Sequence, residues 1–173
     1  MDSLLQEHAK IVQFISLAEE VTGRKKLQKM IYIAKKMQFP FVEKYELHMY
    51  GPYSEELTLR IEELCEMGFL NEQFVDKGSY VQYKYNVSSE GKRFLETTPA
   101  CVDRLEDFIN MMQVKSSRFL ELVSTLLYFD HLAKKEQIEK VHIVKNKLKF
   151  SKEEMDDAFD FIHQLEMQAA PTA

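Results

Sequence analysis

Cysteine is almost missing from this chain of 173 residues, which has only Cys65 and Cys101, far apart and without the spacing of a zinc site. That excludes a disulfide-stapled secreted scaffold and points to a reducing cytoplasm. Tryptophan is absent, and five glycines and four prolines are too few for the many turns of an all-β sandwich or for a low-complexity chain. No apolar run approaches the roughly eighteen residues of a membrane span. The start of the chain, with Asp2, Glu7 and His8, lacks the basic residues and unbroken apolar stretch of a secretion signal. HExxH, a glycine-rich phosphate loop, a nucleophile elbow and paired cysteines are missing as well. No cofactor, metal or catalytic residue is therefore assigned.

What is present suits a folded, helix-rich protein. Apolar residues make up 45% of the chain, with twelve Phe and eight Tyr among them. A monomer of this size buries roughly 70% of its extended-chain surface. The 23 Lys and Arg stand against 28 Asp and Glu, for a net charge of -5. Such a surface attracts phosphate backbones poorly, although a local basic patch remains compatible with it.

Spacing then divides the chain. Leu4, Ile11, Phe14, Ile15 and Ala18 predict a helix over 3–21, and Leu27, Met30, Ile31 and Ala34 a second over 22–37 that Thr22 caps and Pro40 ends. Alternation of Tyr45, Leu47 and Met49 with polar neighbours predicts a strand over 45–50, closed by Gly51-Pro52. Ser54 caps a helix over 54–67. Strands over 69–75 and 80–87 form a hairpin through Gly78, and Ser88 opens another helix. After Pro99 everything reads as helix, over 101–112, 117–131, 134–146 and from 151 onward. Ser151 and Glu154 form a capping box there, with Phe150 and Met155 as its hydrophobic staple. The fold class is mainly α with a small antiparallel β element. Residues 1–98 are expected to form a winged-helix-like unit, and 99–173 a helical subdomain packed against it.

The stretch Gly23-Arg24-Lys25-Lys26-Leu27-Gln28-Lys29-Met30-Ile31-Tyr32-Ile33-Ala34, followed by Tyr50-Gly51-Pro52-Tyr53-Ser54-Glu55-Glu56-Leu57, resembles the YwgA-like family of uncharacterised bacterial proteins over most of the chain. More distantly it is similar to Panacea, or SocA-like, antitoxin domains. That wider resemblance implies a helical domain that neutralises a toxin protein or presents a partner to a protease. It brings no catalytic residue, and the long helical extension after Pro99 departs from the shorter antitoxin pattern.

The residues themselves offer several candidate sites. Arg24, Lys25, Lys26, Lys29, Lys35 and Lys36 crowd the second helix with no acid, and 134–152 carries seven lysines. Each concentration suits either an acidic or phosphate-bearing partner or simply a solvated helix face. The helix over 54–67 occupies the position that would read DNA in a winged helix, yet it carries Glu55, Glu56, Glu62, Glu63 and Glu66 against Arg60 alone. Phosphates repel such a surface, so a protein partner is expected and nucleic acid is disfavoured. Tyr50 and Tyr53 flank the Gly-Pro turn and combine apolar area with a hydrogen-bonding tip, as interface tyrosines do. Asp156, Asp160 and His163 share one side of the last helix, and Glu46 and His48 one side of a strand. Neither group has the further ligands or the nucleophile that chemistry would need.

The expected function is therefore a protein-interaction module, antitoxin-like or an adaptor, acting by surface binding without chemistry. Lys25, Lys29, Tyr50, Tyr53 and Glu56 are its partner-binding candidates. The alternatives are a nucleic-acid-binding regulator using the basic helices and hairpin, and an enzyme with an unrecognised site. A homodimer is compatible with the pattern; a membrane role is not.

Overall fold

A computed structural model describes residues 3–49, 51–100 and 102–169. The chain is mainly helical, with a small antiparallel β element. In order it runs α1 (Leu4–Ala18), β1 (Val21–Thr22), α2 (Arg24–Lys36), β2 (Glu46–His48), β3 (Gly51–Tyr53), α3 (Glu55–Glu66), β4 (Leu70–Asp76), β5 (Val81–Val87), α4 (Ser89–Thr97), α5 (Leu105–Gln113), α6 (Ser117–Tyr128), α7 (Lys134–Val144) and α8 (Lys152–Ala169), with a 3-10 turn at Asn146–Leu148.

Four helices start at the serines that their sequences supply. Ser3, Ser54, Ser88 and Ser116 each accept a backbone N–H of the first turn, from Gln6, Leu57, Gly91 and Phe119. The capping box of α8 closes in both directions: Glu154 N–H donates to Ser151 Oγ at 3.1 Å and Ser151 N–H to Glu154 Oε1 at 3.1 Å. Phe150 and Met155 are both buried beside it. Arg118 donates to the same carboxylate, and this hydrogen bond, with that of Ser151, holds Glu154 down at about 2.

Helix α2 is the central element. From Leu27 to Ala34 every residue is buried, the polar Gln28 and Lys29 included, because β1, β3, α5 and α6 all pack on it. Helix α1 lies against α3, α4, α5 and β5 and buries Ile11, Phe14, Ile15 and Ala18. Thus α5 and α6, from the second half of the chain, cover the faces of α1 and α2 that the first half leaves open. Helix α8 then packs on α5 and α6.

The strands differ from the expected arrangement in two respects. The three-stranded sheet has the order β1-β5-β4, and its third member is Val21–Thr22, a segment whose Thr22 was expected to cap α2. Two residues are too short to show a periodicity. The pairing Val21↔Tyr85 and Thr22↔Lys84 continues through Gly23 N–H, which donates to Tyr83 O at 2.7 Å, and Gly23 takes the cap position of α2. The segment around Tyr45, expected as one strand, instead contributes β2 to a separate ladder with β3, in which Glu46 faces Tyr53 and His48 faces Gly51.

Gly51 and Gly91 are required by geometry, for different reasons. Gly51 has φ +91° and rests on Glu121, Ser124 and Thr125 of α6. Gly91 sits inside α4, where a Cβ would come within 2.2 Å of Phe69 O, so α4 can approach the β4 entry only without a side chain there.

Candidate partner-binding face

Gln28 decides how α3 is presented. Its amide lies at 3% exposure inside α2, accepts Ser54 N–H at 2.9 Å and donates to Ser54 O and Thr58 Oγ1 at 2.9 Å each. One side chain therefore satisfies both backbone groups of the residue that caps α3, and the start of α3 is locked to the core. Leu57, Ile61 and Leu64 turn inward as a result. Glu55, Glu56, Leu59, Glu62 and Glu66 turn to solvent. Arg60 lies 2.6 Å from Glu63, so its charge is spent within the helix.

The β2–β3 hairpin beside α3 is held from behind by a buried ionic cluster. Glu121 of α6 reaches Lys145 at 3.2 Å and Lys29 at 3.9 Å, with both lysine side chains 4% exposed. Lys145 Nζ also donates to the carbonyls of His48 and Met49. Burial pulls the Lys29 ammonium below the ordinary lysine range, Glu121 opposes that shift, and Lys25 and Lys145 add to it. The cluster fixes the hairpin while Met49, 82% exposed, stands out beyond it. On the outer side the Tyr53 ring lies tilted against His48, centroids 5.2 Å apart, and its hydroxyl meets Thr58 Oγ1 at 2.7 Å. A shallow cleft of about 190 Å³ opens there, lined by Lys44, Glu46, His48, Tyr53, Glu55 and Glu56.

On the other flank of α3, Arg24 binds the β4–β5 hairpin. It donates to Tyr85 Oη at 2.7 Å and Glu72 Oε2 at 3.0 Å, and lies 4.0 Å over the Tyr83 ring, while Tyr85 donates to Glu72 at 2.6 Å. Burial works against the Arg24 charge, but its bonds to Tyr85 and Glu72 prevail and hold its pKa up. Cys65, half-buried beside Glu72, has its thiol pushed up by burial to about 11, which keeps it unreactive.

Of the residues singled out in the sequence, Tyr53 and Glu56 lie together in the shallow cleft, and Lys25 is exposed at the start of α2. Tyr50 lies outside the described residues. Lys29 belongs to the interior rather than to a contact surface. The amphipathic pattern leaves its side of α2 to water, but α6 covers that side and supplies Glu121. Asp156, Asp160 and His163 are all exposed, and among the described residues no group of His, Cys, Asp or Glu is placed to hold a metal ion. Glu46 and His48 stand 3.9 Å apart. The lysines from 134 to 152 remain exposed except Lys145. Among the described residues no helix is long and apolar enough to cross a membrane.

Gln28 and Glu121 are the two residues that carry this site and that the sequence pattern does not mark. Gln28 looks like one more polar residue in a basic helix, and Glu121 like one acid in an apolar one; each acquires its role from a partner far along the chain.

The chain is 54% identical over 162 residues to the uncharacterised protein YwgA of Bacillus subtilis (strain 168), a match spanning 94% of this chain and 98% of that protein. It belongs to the YwgA-like family. No protein-family model matches it.

Proposed function

We propose that the chain is a protein-interaction module that acts by occupying a partner's surface, in the manner of an antitoxin or an adaptor, without bond chemistry. One observation carries this: α3 turns Glu55, Glu56, Glu62 and Glu66 to solvent with no lysine among them. A phosphate backbone is repelled by such a face, whereas polypeptide is not. Residues 1–98 act as a winged-helix-like unit, supported by the strand order β1-β5-β4 beside α3, and 99–173 as the subdomain that braces it. A cytoplasmic site of action fits the scarcity of cysteine. A specific contact would bury about 800 Å² on this side.

Affinity capture from the native lysate, run with and without nuclease, tests it. A bound protein that survives nuclease, and that is lost with Glu55→Lys/Glu56→Lys, is the expected result. Retained material that nuclease removes would overturn the assignment and make the chain a nucleic-acid binder.

A further inference from the structure

Helices α7 and α8 each pack on α6 more closely than on each other, and the wedge between them opens into a cleft of about 620 Å³ that the end of α2 also lines. That volume lies within the several hundred Å³ of a small-ligand site, whereas the cleft beside α3 holds about 190 Å³. Phe159, Ile162, Glu166 and Ala169 recur three and four residues apart, so one stripe of α8 forms a wall of the cleft. Met37 and Leu127 add buried apolar surface to the lining.

The charges in the cleft are sorted by position. Lys36 and Asp130 lie 2.8 Å apart and neutralise each other. Lys134 Nζ sits 4.7 Å over the Phe159 ring and has no carboxylate partner among the described residues; Glu166 has no cation among them either. Phe159 and Glu166 are two turns of α8 apart, roughly 10 Å along its axis. The free cation and the free acid therefore stand at opposite ends of an apolar wall. A ligand with one charge satisfies one end and sets apolar groups against the other, whereas an anion and a cation joined by an apolar middle satisfy both. Gln38 and Gln137 line the same cleft. Gln137 Nε2 donates to Leu126 O at 3.0 Å, which leaves its carbonyl oxygen to accept, and a side-chain amide matches the donor and acceptor of a peptide group. Extended chain covers about 3.4 Å per residue, so about three residues span the two charges.

We propose that this cleft binds a short apolar peptide of about three residues with free ends, its carboxylate on Lys134, its ammonium on Glu166 and its side chains on Phe159, Ile162, Met37 and Leu127. None of the lining residues belongs to α3 or the β2–β3 hairpin, so the site does not depend on the protein-binding assignment above.

The probe is trileucine with free termini, titrated into the full chain with amide shifts as the readout. N-acetyl-trileucine, trileucine amide and triserine are the comparisons. Trileucine is expected to saturate below about 1 mM and to shift residues in 36–38, 127–137 and 159–166. Triserine, which lacks the apolar groups, should not saturate. Removing either charge from the peptide should weaken binding about fivefold, the upper end for an exposed ion pair. Lys134→Gln should weaken the free peptide as much and leave the peptide amide unchanged; Glu166→Gln should weaken the free peptide and leave the acetylated one unchanged. Both positions are exposed, and circular dichroism verifies that each variant is folded. No saturable shift, or shifts centred on another surface, would overturn the site. Equal binding of all three trileucine forms, or a loss in Lys134→Gln that the amide shares, would overturn the ligand class. So would full binding by the acetylated form, since the ligand would then be an apolar carboxylate. A wild-type dimer in sedimentation that Lys134→Gln/Glu166→Gln abolishes would make the occupant a second copy and overturn the proposal as well.

Discussion

Two buried ionisable residues set opposite pH responses. His8, 3% exposed in α1, has Nε2 3.4 Å from Glu63 Oε2, and neither ring nitrogen makes a hydrogen bond among the described residues. Burial lowers its pKa, Glu63 opposing. Stability tied to neutral His8 is therefore present above about 6.5, the unfolded value, and is lost as pH falls below it. Glu43, 2% exposed, has both carboxylate oxygens without a hydrogen bond, and burial, aided by Glu7, raises its pKa. Its contribution is present below about 4.3 and is lost as pH rises through the raised value. Urea midpoints measured from pH 5 to 8 should separate the two. Glu43→Gln is expected to gain on wild type as pH rises, and His8→Gln as it falls. A pH-independent offset in both variants would show that neither group titrates within that range.

At the scale of elements, the β2–β3 hairpin depends on α6 and the end of α7. Lys145 spans Glu121 and the carbonyls of His48 and Met49, so removing it leaves a buried carboxylate with Lys29 alone, at 3.9 Å. Lys145→Met should cost about 3–5 kcal/mol, the range for breaking a buried pair. Amide exchange across 46–53 should rise more than in β4–β5, and uniform exchange across both hairpins would refute the clamp. The same cluster marks what could be read from sequence. The caps at Ser54 and Ser88, the α8 capping box and the β4–β5 hairpin were legible because each is made within a few residues, as Ser151 with Glu154 shows. Most helices follow from apolar spacing for the same reason. Lys29, Gln28 and β1 were not legible, since what surrounds them arrives from Glu121, Ser54 and Tyr85, between 26 and 92 positions away. Of the residues singled out for contact, Tyr53 and Glu56 share one cleft through a local turn and cap, whereas a distant helix buries Lys29.

For the whole molecule, the division after residue 98 is one of sequence more than of packing. Helices α5 and α6 lie on α1 and α2, where Phe108, Ile109, Leu120 and Val123 are fully buried. A chain ending at residue 98 would expose those faces of α1 and α2. It is expected to lose the dispersed amide spectrum of the full chain and to bind a hydrophobic dye; a cooperative thermal transition in that fragment would show that the first half folds alone. The grip of Lys145 on Met49 has a consequence for biosynthesis. During translation the hairpin emerges roughly a hundred residues before its anchor, so the tip that carries Met49 cannot take its final position until α6 and the end of α7 have also left the ribosome. The exposed end of β2 is thus set only after Lys145 arrives, however early it is made.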